Sequence, residues 1–136
     1  MAALKPLPPT GFGLLGMTWR PLKTPGEQAF AAMKAAIAGG ATLWSSSSIY
    51  GMSPEPPTAG LWLLRRCFEK YPEDEPKVTL FMHACFDATA EEHVGKGGVK
   101  KIDIFGPTRM DRNIPLEETV GAFKELVDEG QIGFVG

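Results

Sequence analysis

Four short apolar runs, Ala41–Trp44, Val78–Met82, Ile102–Phe105 and Gln131–Gly136, recur along the chain with helix-patterned stretches between or before them. Phe30, Met33 and Ile37 precede the first run, and Leu61, Leu64, Phe68 and Tyr71 separate the first from the second. Leu116, Val120, Phe123 and Val127 separate the third from the last. The runs are too short for helices, and the separating residues return every three or four positions, as on one helical face. Strands that alternate with helices pair in parallel, because a helix is the usual way to carry the chain back to the start of the next strand. Local punctuation agrees. Thr24-Pro25-Gly26-Glu27 reads as a capping box, and Gly39-Gly40 as its helix stop. Thr58 and Pro72 bracket the next helix. Asn113 and Pro115 open the last one, with Glu117 and Glu118 in its positive first turn and Gly130 beyond its end.

Residues 1–9 are a proline-rich lead-in and 10–136 form one domain, which the length of 136 residues suits. A net charge of −2 gives no footprint for nucleic acid or an anionic membrane. No stretch approaches the ~20 apolar residues of a membrane span, and the first residues lack the apolar centre of a signal peptide. Two cysteines, Cys67 and Cys85, suit a reducing, cytoplasmic setting rather than a disulfide framework. His83, Cys85, Asp87 and His93 lie close in sequence but lack the paired spacings of zinc sites, so no metal is expected.

Gly11-Phe12-Gly13-Leu14-Leu15-Gly16 matches Gly-x-Gly-x-x-Gly. As a dinucleotide fingerprint it needs a strand before it and a helix opening inside it. Prolines precede it and Met17–Pro21 opens no helix, so a glycine-rich first strand is the better reading. Ser45–Ser48 leaves the Ala41–Trp44 strand as a polar loop, with no general base close in sequence. Lys96, Lys100 and Lys101 stand among glycines and read as a solvated loop rather than a phosphate cradle.

Trp44, Tyr50 and Gly51, together with Gly13–Trp19, Phe68–Asp74, Lys100–Phe105 and Glu125–Gly133, carry a resemblance to the aldo-keto reductases, and to the fungal pyridoxal reductase-like branch in particular. The resemblance runs from Gly11 to Gly136 and covers the N-terminal half of such a protein. It implies a partial (β/α)8 TIM barrel: about four βα units and the start of a fifth strand. The third crossover helix is shortened between Asp87 and Lys101. A complete barrel takes about 250 residues.

The same resemblance implies an NADPH-dependent reductase of small carbonyl compounds such as pyridoxal. Tyr50 takes the general-acid position, Ser45 the position of the family's aspartate, His83 that of its lysine, and Thr108 that of its histidine. Gly13, Met17 and Thr18 fall at the nicotinamide end of the cofactor, and Trp19 at the substrate pocket. Without the aspartate and lysine, the implied activity is impaired. The alternative is a non-catalytic half-barrel that acts, if at all, through self-association at its exposed sheet edges or through a partner chain.

Overall fold

A computed structural model describes residues 5–83 and 99–136. The elements are β1 (Gly11–Gly13), α1 (Leu15–Thr18), α2 (Gly26–Ala38), β2 (Leu43–Ser47), α3 (Ala59–Lys70), a 3-10 segment (Pro72–Lys77), β3 (Thr79–His83), β4 (Ile102–Gly106), α4 (Leu116–Asp128) and β5 (Ile132–Val135). All five strands are parallel and lie in the order β1-β2-β3-β4-β5. Each strand therefore adds beside the one before it, as barrels are wound. A doubly wound nucleotide-binding sheet reverses direction at its first strand, so the sheet order excludes the fingerprint reading of Gly11–Gly16. The implied short crossover, with Cys85, Asp87, His93 and Lys96, lies outside the described residues.

The core forms between the sheet and the helices. Trp44, wholly buried, stacks on Phe68 of α3 with centroids 5.7 Å apart and meets Phe12 of β1 at 6.2 Å. Its indole N–H donates to Ala41 O at 3.1 Å, so the ring is buried without an orphaned donor. Phe30 and Met33 of α2, Leu61 and Leu64 of α3, and Leu80 and Met82 of β3 complete the layer. Phe105 of β4 meets Phe123 of α4 edge-on at 5.5 Å.

The structure corrects several boundaries. β2 begins at Leu43 and continues through Ser47, where a polar loop was expected. Its pairing explains this: β3 matches it residue for residue from Leu43↔Thr79 to Ser47↔His83, and Leu14 N–H donates to Ser45 O from the other side. A strand held on both edges keeps serines that isolated propensity would release. The glycine-rich first strand is only Gly11–Gly13, and Leu15–Thr18 makes a single helical turn. Thr24 does not cap α2: Pro25 occupies the cap position, and Thr24 Oγ1 instead accepts from Arg20 at 3.4 Å. On α4, Phe123 and Val127 reach the core, but Leu116 and Val120 remain 60% and 50% exposed. Lys100 is not solvated. It is buried and pairs with Asp103 at 2.8 Å and Glu75 at 3.2 Å.

One charged group helps hold the α2–α3 side. Asp74, in the 3-10 segment and 3% exposed, accepts from Lys34 of α2 at 2.7 Å and from Lys77 at 2.6 Å. The hydrogen bond from Lys34, then that from Lys77, holds its carboxyl below the usual carboxylate value. A carboxyl depressed in the folded state contributes stability that is complete above its unfolded pKa and lost as pH falls through the folded one. Asp74→Asn is expected to cost about 1.5–3 kcal/mol near neutrality. In urea unfolding the gap between the two proteins should narrow steadily below the unfolded value of 3.8. An unchanged gap from neutral to strongly acid pH would show that the charge of Asp74 contributes nothing.

Candidate active site

The C-terminal ends of the parallel strands bring the expected residues to one edge. Gly13 pairs in register with Ser45, Ser47 with His83, and His83 with Gly106. Side chains alternate along a strand. Ser45, Ser47, Phe81 and His83 therefore share the sheet face opposite Trp44, Leu80 and Met82, which pack toward the helices. On that face Ser45 Oγ lies 3.1 Å from His83 Nε2, the two being diagonal neighbours on adjacent strands. Sequence proximity offered Ser45 no base; strand pairing supplies one. Either histidine tautomer can close this bond.

His83 is half-buried, and burial lowers its pKa below the ordinary 6.5. The imidazole is therefore neutral at neutral pH, and the Ser45–His83 pair carries no net charge there. Among the described residues nothing hydrogen-bonds the other ring nitrogen, as the third group of a nucleophilic triad would. Phe81 packs against the His83 ring with centroids 4.2 Å apart.

Tyr50 follows in the loop after β2. It is half-buried, and its ring stands edge-on to Trp19 at 6.1 Å. Trp19 is 39% exposed, just after α1. The structure thus unites Tyr50 with Trp19, and Ser45 with His83. Among the described residues no hydrogen bond joins Tyr50 to His83.

The remaining expected residues are placed differently. Gly13 is exposed at the end of β1, with open space where a side chain would be. Met17 packs against the core. Thr18 is buried and lines a cavity that includes neither Ser45, Tyr50 nor His83. Thr108 is exposed in a bend after β4, and no bond to the Ser45–His83 pair accompanies it.

Three glycines shape the site, and sequence reading attached importance to only one of them. At Gly51 an added Cβ would lie 1.8 Å from Pro56 O, so the loop from 52 to 57 can fold back only over a glycine. At Gly60 a Cβ would come within 3.0 Å of Tyr50 Cβ, so the first turn of α3 abuts the tyrosine. At Gly106 a Cβ would meet the Phe81 ring at 3.1 Å and Gly136 O at 2.7 Å. A glycine at the C-terminal end of a strand was the available signal for Gly106.

Among the described residues, no group of three His, Cys, Asp or Glu could hold a metal ion. No helix among them is long and apolar enough to cross a membrane.

Comparison with known proteins agrees with the geometry. The family described as "Aldo/keto reductase family" matches residues 9–136. "Probable pyridoxal reductase 2" of Schizosaccharomyces pombe is 40% identical over 143 residues, spanning 94% of this chain and 42% of that protein. An uncharacterized oxidoreductase of the same yeast is 34% identical, with the same coverage of 94% and 42%. The chain thus spans about two-fifths of the length of these curated relatives. Among solved structures, the thermostable aldo-keto reductase Tm1743 superposes with a TM-score of 0.71 at 20% identity, over 96% of this chain and 48% of that one. An aldo-keto reductase from Bacillus halodurans superposes at 0.67 with 16% identity, over 93% and 44% respectively. These two likenesses support the fold, a partial (β/α)8 barrel. With nearly its whole length matched and its five parallel strands in barrel order, this chain belongs to the aldo/keto reductase family.

Proposed function

We propose that the chain carries the acid-bearing part of an NADPH-dependent carbonyl reductase site, acting on small aldehydes such as pyridoxal at a reduced rate. The observation behind this reading is the Ser45–His83 hydrogen bond of 3.1 Å. It keeps a polar pair at the positions where the family places an aspartate and a lysine, but the pair is neutral. Tyr50 donates the proton to the developing alkoxide. A phenol has an ordinary pKa of about 10, so a neighbouring cation would ease that transfer. A neutral imidazole provides no such help.

Of the residues at the nicotinamide end, Gly13 alone leaves room for a flat ring at this edge, Met17 packing into the core and Thr18 lining a separate cavity. Gly13 leaves open space beside Ser45, with which it is in register, and a side chain there would intrude. The chemistry a bound NADPH supplies is hydride. Trp19, edge-on to Tyr50, walls the substrate side.

A second reading is favoured by the sheet itself: β1 and β5 end its order, each paired on one side only among the described residues. A half-barrel that associates through these edges, without catalysis, is consistent with that.

Consumption of NADPH with pyridoxal tests the first reading. Slow turnover should disappear in Tyr50→Phe, and the double variant Ser45→Asp/His83→Lys should raise the rate by about 10²-fold or more. His83→Lys alone should gain less, because its ammonium would face an uncharged Ser45. Turnover that survives in Tyr50→Phe would overturn Tyr50 as the proton donor, and no turnover even in the double variant would favour the associating half-barrel. Size-exclusion chromatography would then be expected to return a discrete oligomer.

The neutral state of His83 is checked separately by NMR titration of its ring protons. The midpoint should fall below 6.5, as burial requires. Because the folded pKa is depressed, His83 contributes stability above its unfolded value that is lost as pH falls. A midpoint at or above 6.5 would overturn the lowering by burial and with it the neutral pair.

A further inference from the structure

The sheet face that bears Ser45 and His83 also carries an aromatic group to which the proposed chemistry gives no role. Phe81 of β3 stands two residues before His83, on the same face, and its ring lies against the imidazole with centroids 4.2 Å apart and planes at 41°. The far edge of the phenyl ring crosses toward the next strands. An added Cβ at Gly106 of β4 would lie 3.1 Å from Phe81 Cε2, and one at Gly136, just beyond β5, 3.5 Å from the same atom. Two glycines on successive strands thus leave the room that this ring fills.

His83 stands between two unequal neighbours. On the β4 side it pairs in register with Gly106, which offers no side chain to limit the imidazole. On the β2 side it pairs with Ser47, whose hydroxyl accepts from Ile49 N–H at 3.3 Å, and its Nε2 lies 3.1 Å from Ser45 Oγ. A histidine χ1 has three staggered wells, and the strand backbone alone does not select the one that leans on β2. The space above Gly106 is the alternative, and the Phe81 ring occupies it. The same ring supplies apolar surface against an imidazole whose pKa burial lowers.

We propose that Phe81 is a positioning residue for His83: its ring fills the space above Gly106 and so holds the imidazole toward β2, where Nε2 meets Ser45 Oγ. The inference concerns the pair on which the reductase reading stands. It is tested on the histidine itself, so a lack of NADPH turnover would leave it standing.

NMR spectroscopy of the chain provides the test. Three-bond couplings across the Cα–Cβ bond of His83 should report one rotamer, and its ring protons should show a nuclear Overhauser contact with the β protons of Ser45. Comparison with His83→Gln separates these signals from those of His93, the chain's other histidine. In Phe81→Ala the couplings should average, and the contact with Ser45 should fall to about a third as the three wells fill. Phe81→Leu should do the same, because leucine has no atoms at the Cε2 and Cζ positions that cover Gly106. Phe81→Tyr, which keeps those atoms, should keep the single rotamer. Amide spectra show whether each variant is folded, and Phe81→Leu, which keeps apolar bulk on β3, decides the question if Phe81→Ala does not fold. A single rotamer with an undiminished contact to Ser45 in Phe81→Leu overturns the proposal and reduces Phe81 to apolar bulk. So does averaging already present in the unsubstituted chain.

Discussion

The parallel pairing of β2 between β1 and β3 is the constraint on which the rest depends. Five matched positions lock β2 to β3 and three lock it to β1. Because side chains alternate, this one register sends Trp44 into the helix layer against Phe68 and turns Ser45 toward His83 on the opposite face. A slip of one residue would put the indole on the open face and bury Ser45 among Leu61, Leu64 and Met82. The core and the polar pair are therefore two consequences of a single alignment.

Ser45 and His83 are physically coherent as a neutral pair. A serine hydroxyl can give or take a hydrogen bond, and so can a neutral imidazole, so neither is left unsatisfied in a half-buried site. Burial keeps the imidazole uncharged, which removes any need for an anionic partner. Tyr50 stands beside Trp19, and among the described residues no cation is hydrogen-bonded to its phenol.

Close backbone approach sets the shape around these groups. Gly51 lets the 52–57 loop cross, Gly60 lets α3 abut Tyr50, and Gly106 lets the Phe81 ring lie across β4. The same crossing loop brings Glu55 to Lys23 and makes one wall of the cavity that Thr18 lines. One glycine-dependent loop thus borders both the tyrosine and that separate cavity.

Much of this was legible in the sequence. Alternating strand and helix periods carried the parallel architecture, and Trp44, Tyr50 and Gly51 carried the family. Local signals of that kind depend only on spacing along the chain. What they missed depends on neighbours far away in sequence. The serines of β2 read as a loop because their propensity is low, yet pairing with β3 holds Ser45, Ser46 and Ser47 extended, and β1 flanks Ser45 on the other side. Leu116 and Val120 read as core because their helical period is right, yet both remain exposed. Thr24 read as a cap, but Arg20 takes its hydroxyl. The sequence by itself determined the order and kind of the elements, because apolar period and turn chemistry are written locally. Only the tertiary structure decided that Ser45 would meet His83 and that Lys34 would meet Asp74, because each contact joins residues distant along the chain.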